Sequence, residues 1–409
     1  MNSKKITLSL LTALTLTSTA FANDKSEIAQ LKQEMSELKE ITQSLIDETS
    51  DLKSGFNYTT VDPTKSHSGL ASAASKVYYS KSPLSIGGYG EMYFASQEGD
   101  STDKRTLDVY RFVPYIGYKF TDNIILNTEI EFEHGGVDAK GNGGEVIMEF
   151  MYLDFLMDKK YNLRVGHMLM PMGLINERHE PTLFTTVQRP NTSKNIIPST
   201  WHESGVMVYG EITEGLSYNF AATSALETGV NGSKWLRDGR GGSYKQTDPS
   251  LGFTARLDYT GTNGLLLGTS AYYAPSESTT KSATTITDVH VDYKVAGARV
   301  YGTYAIVNRS QAGNIATNAV DKAYGGYLNL SYDLLSSSST GSLPVFVQYE
   351  DMNAEDSRAD GTSGDATKTT TLGINYFPHE QVVLKLDYAM QSKGSTDDNI
   401  ASVSMGFIF

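Results

Sequence analysis

Hydrophobic and polar positions alternate with a period of two from Leu84 to the C-terminus. Between residues 123 and 133, four apolar side chains and a threonine occupy the even positions, and polar side chains occupy the odd positions from Asn127 to Glu133. An α-helix would scatter these polar side chains around its circumference, whereas a strand places them on one face. The pattern therefore predicts a β-strand with one apolar face and one polar face.

The same alternation recurs along the rest of the chain. In residues 110–120, for example, the apolar face is formed by aromatic residues and Ile116, beginning at Tyr110, and it lies opposite Arg111 and Lys119. Further alternating segments lie at residues 216–223, 251–259, 287–295, 328–334, 345–350, 372–376, 384–388 and 401–409. The count of segments is about sixteen, and fourteen or eighteen remain open because residues 145–157 and 205–212 are hard to bound.

The connections between the predicted strands alternate in length. Short turns are predicted at residues 121–123, 158–162, 213–215, 260–264, 296–297 and 378–380, and long polar loops at 230–250, 276–285, 310–321, 353–367 and 392–399. This alternation is typical of a transmembrane β-barrel, in which the apolar face meets lipid and the polar face meets a wet lumen. A soluble β-sandwich or solenoid is the alternative. The last strand ends on Phe409 and resembles the C-terminal signature of bacterial outer-membrane barrels, which favours an all-β antiparallel barrel over residues 84–409.

The N-terminal part of the chain differs in pattern. Residues 1–22 combine Lys4 and Lys5, an apolar stretch and a small-x-small site ending at Ala22, which predicts a signal peptide. Residues 23–54 carry heptads, with leucines at every d position and Ile28, Met35 and two threonines at the a positions. They predict a short periplasmic α-helical coiled coil, and a single helix folding back on a domain is the alternative. Residues 55–83 show no sustained period and are interpreted as a flexible or partly ordered linker.

Composition narrows the possible classes of protein. The 409 residues include no cysteine, which excludes disulfides, cysteine metal sites and thiol nucleophiles. The formal net charge of −13 argues against a nucleic-acid partner. Outside the N-terminus no stretch reaches the roughly 18 apolar residues that a membrane helix needs. The many tyrosines, phenylalanines and glycines fit a chain of short strands.

Residues 170–205 break the alternation. They hold four of the eleven prolines, which paired strands tolerate poorly, and they follow the predicted fifth strand. The segment resembles the inward-folded third loop of bacterial trimeric porins related to the phosphate-selective O/P group. This resemblance implies a loop that narrows the pore. The charged residues of the predicted pore constriction are Glu177, Arg178, His179, Glu180 and Arg189. Opposed charges there would orient and screen solutes, and the alternative is that these residues only pin the loop through salt bridges.

The inward faces of the predicted strands carry charges of both signs. The residues predicted to line the lumen are Arg111, Lys119, Glu129, Glu131, Glu133, Arg256, Asp258, Lys385 and Asp387. Acidic groups outnumber basic ones, which predicts a weak preference for cations unless the constriction overrides it. The chain departs from the O/P group in lacking a dense row of arginines suited to an anion ladder.

Sequence motifs for catalysis are absent. The chain contains no G-x-S-x-G, H-E-x-x-H or P-loop pattern. His179 and His202 could bind a metal with Glu177, Glu180 and Glu203 if the loop gathered them, but such spacing is weak support. We expect no enzyme activity, no cofactor and no metal, although a barrel enzyme remains an alternative.

The sequence therefore predicts an outer-membrane porin that allows passive diffusion of small hydrophilic solutes or ions. The resemblance implies a homotrimer in outer-membrane lipid, and the heptads agree with it and form a stalk that could reach the cell wall. The alternative is a non-conducting barrel that acts as a surface adhesin or envelope tether.

Overall fold

A closed antiparallel β-barrel of sixteen strands forms most of the chain. The computed structural model describes residues 25–54, 61–137, 143–227, 229–275, 281–337 and 341–409. Each strand pairs with its neighbours in sequence, and β1 closes the barrel on β16. The strands are β1 (Leu84–Gly99), β2 (Lys104–Thr121), β3 (Ile124–Glu133), β4 (Val146–Phe155), β5 (Asn162–Leu169), β6 (His202–Thr213), β7 (Leu216–Ser224), β8 (Leu251–Tyr259), β9 (Leu265–Ala274), β10 (Thr284–Val295), β11 (Ala298–Arg309), β12 (Val320–Asp333), β13 (Pro344–Arg358), β14 (Thr367–His379), β15 (Val382–Lys393) and β16 (Thr396–Ile408). The predicted fold class and strand number are confirmed.

The outer wall is apolar and the inner wall is polar. In β8, Leu257 and Tyr259 are exposed on the outside, whereas Arg256 and Asp258 are buried on the inside. The same alternation continues in β15, where Leu386 faces outward and Asp387 inward. This arrangement suits lipid outside and polar groups inside.

A β-bulge interrupts the alternation in β2. The pairing of β1 with β2 shifts register between Glu91 and Tyr93. Val109 and Phe112 are exposed on the outer wall, so Tyr110 and Arg111 both face the lumen. The expectation that Tyr110 belongs to the apolar face is wrong, because the extra residue of a bulge changes the direction of the following side chains.

Two of the expected long loops are shorter than their polar composition suggests. β15 ends at Lys393 and β16 begins at Thr396, which leaves a two-residue connection. Similarly, β13 continues to Arg358 before β14 begins at Thr367. Polar composition indicates that a segment is exposed to water. It does not show that the segment is a loop, because strands can continue to pair beyond the lipid.

The helices are α1 (Lys25–Ser54), α2 (Ser72–Tyr79) and α3 (Trp235–Asp238). Along α1, the d-position leucines Leu31, Leu38 and Leu45 are each more than half exposed. The coiled coil stays a prediction, and so does its alternative, a single helix folding back on a domain. Residues of the predicted signal peptide lie outside the described residues. Among the described helices, none has the length and apolar character needed to cross a membrane.

Residues 61–83, here called the luminal segment, lie against the inner wall of the barrel. Leu70, Ala73, Ala74 and Val77 are buried and recur at helical spacing along and just before α2. The small side chains of Ala73 and Ala74 allow the helix to lie close to the wall. This part of the predicted flexible or partly ordered linker 55–83 contains the helix α2, and residues 55–60 lie outside the described residues.

Candidate functional site

The connection between β5 and β6 fills much of the barrel interior. Residues 170–201, here called the inward loop, include a 3₁₀ turn at Asn176–Arg178 and a π-helical turn at Thr192–Ile196. The last residues of the expected loop, 202–205, belong instead to β6, where His202 pairs with Leu169.

Wall side chains hold the backbone of the inward loop from the opposite side of the barrel. Asp387 accepts a hydrogen bond from the N–H of Val187 at 2.6 Å, and Glu350 accepts one from Thr192 at 2.6 Å. The ammonium group of Lys385 donates to the carbonyl oxygens of Phe184 and Thr186 at 2.9 and 3.0 Å. These charge-assisted bonds satisfy backbone groups that water cannot reach.

The five residues of the predicted constriction lie on the inward loop but have different environments. Glu177, His179, Glu180 and Arg189 are buried, and Arg178 is partly exposed. Their role in a constriction stays a prediction.

Several of these charged groups are paired with charges on the wall. A guanidinium nitrogen of Arg256 lies 3.5 Å from Glu177, and one of Arg178 lies 3.4 Å from Asp292. The imidazole Nε2 of His179 lies 3.2 Å from Oε1 of Glu129. Ion pairs therefore connect the loop to the wall, whatever further role the charges have.

Arg189 contacts neutral groups instead. Its guanidinium donates to the hydroxyl of Tyr110 at 3.1 Å and to that of Ser199 at 3.3 Å.

Most of the predicted lumen-lining residues are buried within the barrel. Arg111 donates to Glu91 at 2.8 Å and Arg256 donates to Asp258 at 2.7 Å. The buried members are Arg111, Glu129, Glu131, Arg256, Asp258, Lys385 and Asp387, while Lys119 and Glu133 are partly exposed. Pairing removes much of the charge that a simple count assigns to the lumen.

The luminal segment is bound to both the wall and the inward loop. Glu180 of the loop accepts hydrogen bonds from the N–H groups of Ala73 and Ala74, the first turn of α2, at 3.3 and 3.1 Å. Asn127 of β3 donates to the carbonyl of Ala74 at 2.8 Å, and Lys119 donates to that of Ser80 at 2.6 Å. The two segments therefore form one packed filling.

Burial changes the proton affinity of groups in this filling. Burial lowers the pKa of His67 to about 4, although the carboxylate of Asp154 acts in the opposite direction. The imidazole Nε2 of His67 lies 3.0 Å from the hydroxyl oxygen of Tyr209. Burial raises the pKa of Glu180 to about 7, against the effect of the N–H groups of Ala74 and Ala73.

A polar cavity of about 740 Å³ remains between the luminal segment and the strands β6–β10. It lies at the turn end of the barrel, the end with the short connections, since its lining includes residues of the turns at 159–162 and 260–264. Charged groups of both signs line it, among them Lys65, Arg178 and Asp292. Of the five predicted constriction residues, Arg178 contributes to this lining.

Sequence reasoning does not identify the luminal segment as part of the site. The signal that could have found it is the helical spacing of Leu70, Ala73 and Val77 within a stretch rich in serine and alanine. Among the described residues, the expected metal-binding group of His179 and His202 with the glutamates near them in sequence is not formed. His202 contacts His167 at 2.7 Å, and Glu203 accepts a hydrogen bond from Ser224.

The closed sixteen-stranded barrel, its apolar outer wall and its inward loop define an outer-membrane channel of the porin type. The chain belongs to the family described as phosphate-selective porin O and P, whose model matches residues 115–409. The family and the fold make it a channel rather than an enzyme, located in the bacterial outer membrane.

Similar proteins agree with this assignment. An uncharacterised protein of Aquifex aeolicus (strain VF5) is 33% identical over 371 residues, which cover 84% of each chain. The outer-membrane channel DcaP of Acinetobacter baumannii has a TM-score of 0.57 at 12% identity, covering 80% of this chain and 97% of its own. OmpF of Salmonella typhi, in a complex with daunomycin, has a TM-score of 0.57 at 11% identity with the same coverage. At these identities, the two structures show a common fold.

Proposed function

We propose that this protein is a homotrimeric porin that passes small hydrophilic solutes or ions by passive diffusion. The observation that carries the proposal is the polar cavity at the turn end of the barrel, beside the luminal segment. Short turns lie on the periplasmic side of outer-membrane barrels, so the cavity is the periplasmic part of the pathway. The inward loop and the luminal segment together keep that pathway narrow.

Arg178 is the constriction residue that is best placed to act on a solute. It lines the cavity, and its guanidinium shares the carboxylate of Asp292 with Arg299, which donates to that carboxylate at 2.8 and 2.9 Å. Two guanidinium groups against one carboxylate leave a local positive charge. This local field opposes the weak cation preference expected from the lumen as a whole.

The other predicted constriction residues act indirectly in this proposal. Glu177, His179 and Glu180 hold the inward loop against Arg256, Glu129 and α2, respectively. They therefore set the position of Arg178 without meeting the solute.

The exposed row of apolar side chains on α1 supports self-association. Leu31, Met35 and Leu38 would bury their exposed surfaces in a parallel coiled coil of three chains. Such a stalk would project into the periplasm, and contact with the cell wall remains a prediction. Family and fold do not favour the non-conducting adhesin or tether.

Conductance of the purified protein in a planar bilayer with a salt gradient tests this proposal. We expect small steps that arrive in threes and a measurable reversal potential. The variant Arg178→Gln should shift the reversal potential toward cation selectivity. Arg358→Gln is the matched control, because Arg358 pairs with Glu355 near the opposite end of the barrel. A silent bilayer, with barrel folding confirmed by spectroscopy, would contradict the proposal.

A further inference from the structure

Three potential metal ligands converge where the inward loop meets the barrel wall. Glu129 of β3, Glu149 of β4 and His179 of the loop each offer one ligand atom, and these atoms lie within 4.8 Å of one another. The imidazole Nε2 of His179 lies 3.2 Å from Glu129 and 3.3 Å from Glu149. All three side chains are almost completely buried.

The orientation of His179 is fixed by its other ring nitrogen. Its Nδ1 lies 2.7 Å from the carbonyl oxygen of Asn176, an atom that only accepts hydrogen bonds. Nδ1 therefore carries a proton, and the remaining nitrogen is aimed at the two carboxylates. Metal-binding histidines commonly have this arrangement, in which a backbone carbonyl orients the ring and leaves Nε2 for the ion.

The carboxylates also retain unused oxygen atoms. Oε2 of Glu129 and Oε1 of Glu149 are buried without a hydrogen-bond partner among the described residues, and so is Oε1 of Glu131. Buried polar atoms are usually satisfied, and a charged one without a partner is strongly unfavourable. These oxygen atoms are available to a bound cation.

Apart from His179 itself, the protein supplies little positive charge for this cluster. Arg111 is the adjacent guanidinium, but it donates to Glu91 at 2.8 Å and to the carbonyl of His179 at 2.7 Å. Glu129 receives a further hydrogen bond from the neutral hydroxyl of Tyr89 at 3.3 Å. A divalent cation would offset the excess negative charge.

We propose that Glu129, Glu149 and His179 bind one divalent transition-metal ion, of the Zn²⁺ or Mn²⁺ class, which fastens the inward loop to β3 and β4. One imidazole and two carboxylates form a mixed nitrogen and oxygen set suited to such ions. With metal–ligand distances of about 2.1 Å, tetrahedral ligands lie roughly 3.4 Å apart, close to the observed separations from Nε2. A water molecule can take the fourth position.

The direct test is the metal content of the full-length protein. The chain is unfolded in EDTA, refolded in detergent with Zn²⁺ or with Mn²⁺, desalted and analysed by mass spectrometry for metal per chain. We expect about one ion per chain for one of these metals. Glu149→Gln and His179→Gln should each reduce it at least tenfold at low micromolar free metal.

Glu350→Gln is a matched control. Glu350 is also buried on the wall and also holds the inward loop, through the N–H groups of Asn191 and Thr192. It should retain the ion. Retention of metal by the Glu149 and His179 variants would place the ion elsewhere and overturn the proposal, as would a wild-type chain that binds neither metal.

A second measurement uses the wild-type protein alone, so it remains decisive if a variant does not fold. X-ray absorption at the edge of the bound metal should show one imidazole nitrogen together with carboxylate oxygens. A spectrum with oxygen ligands only would contradict the site. The ion should also raise the temperature at which the barrel unfolds in detergent, and it should have no such effect on Glu149→Gln.

Discussion

Glu180 connects the two segments that fill the barrel. Its carboxylate accepts the N–H groups of Ala73 and Ala74, which belong to the first turn of α2 and have no partner within the helix. Ala71, at the N-cap, makes no side-chain hydrogen bond, so Glu180 provides the cap from another part of the chain. A single side chain thus couples the inward loop to the luminal segment.

Replacing this carboxylate should loosen the luminal segment. We expect Glu180→Ala to destabilise α2 by about 1 kcal/mol, the usual effect of losing a helix cap. Trypsin should then cleave after Lys65 or Lys76 several times faster, while the barrel remains folded. Glu180→Gln keeps one acceptor oxygen but loses the other, so its cleavage rate should lie between those of the wild type and Glu180→Ala. Equal cleavage of all three proteins would show that Glu180 does not hold the segment.

Acid should loosen the same segment through His67. Its pKa is about 4 in the folded protein and about 6.5 when unfolded, so the unfolded state binds the proton more tightly. The contribution of His67 to packing is therefore constant above pH 7 and weakens as the pH falls from about 6.5 to 4. The charged groups facing the imidazole are Asp154 and Arg164, which pair with each other at 2.9 Å.

Trypsin cleavage has its own pH dependence, so hydrogen exchange measured by mass spectrometry is the suitable method. Exchange of residues 61–83, corrected for intrinsic rates, should accelerate between pH 7 and pH 5. His67→Gln should reduce this acceleration. A pH profile that is the same in the variant would assign the effect to another group.

Individual inward residues could be predicted from the alternation, as Arg256 and Asp258 illustrate. Their partners on the inward loop could not, because a segment without a repeating pattern gives no indication of its path. His179 contacts Glu129, which lies fifty residues earlier in the sequence, because the inward loop folds back against β3. The direction of Tyr110 could not be predicted either. A β-bulge turns this side chain toward the lumen, and the sequence carries no clear signal for the bulge.

Among the elements, α2 depends on a glycine in the wall. A Cβ atom added at Gly117 of β2 would lie 2.5 Å from Cβ of Val77, too close for any side chain. The glycine therefore allows the helix to pack directly against the strand. Strands could be predicted because each one carries its own alternating pattern. α2 could not, because a helix of eight residues is too short to be stable alone and depends on the surrounding barrel.

The close contact predicts the effect of adding a methyl group to the wall. Gly117→Ala should push α2 away from the wall and thereby change the single-channel conductance. The matched control is Gly313→Ala, whose added Cβ would meet Ala359 at an ordinary 3.6 Å. In a chain lacking residues 61–80, Gly117→Ala should have no effect. A change in conductance that persists in that chain would indicate a defect of the barrel itself.

At the scale of the whole molecule, the sequence encodes the barrel and the two segments inside it in different ways. The closed sheet results from a local pattern repeated sixteen times, with one face for lipid and one for the interior. The packing of the inward loop and the luminal segment results from contacts between residues far apart in the sequence. One example is the hydrogen bond from Lys385 to the carbonyl oxygen of Phe184. The alternating pattern therefore predicts the barrel, but it does not predict how the inward loop and the luminal segment pack inside it.

The most direct test of this account compares the single-channel conductance of the full chain with that of a chain lacking residues 61–80. Removing the luminal segment should increase conductance several-fold, because α2 and its neighbours occupy the lumen beside the remaining cavity. A chain lacking residues 25–54, which form α1, should keep the conductance of the full protein. If the chain without residues 61–80 folds and conducts no better than the full chain, the luminal segment does not limit the pathway and the account is contradicted.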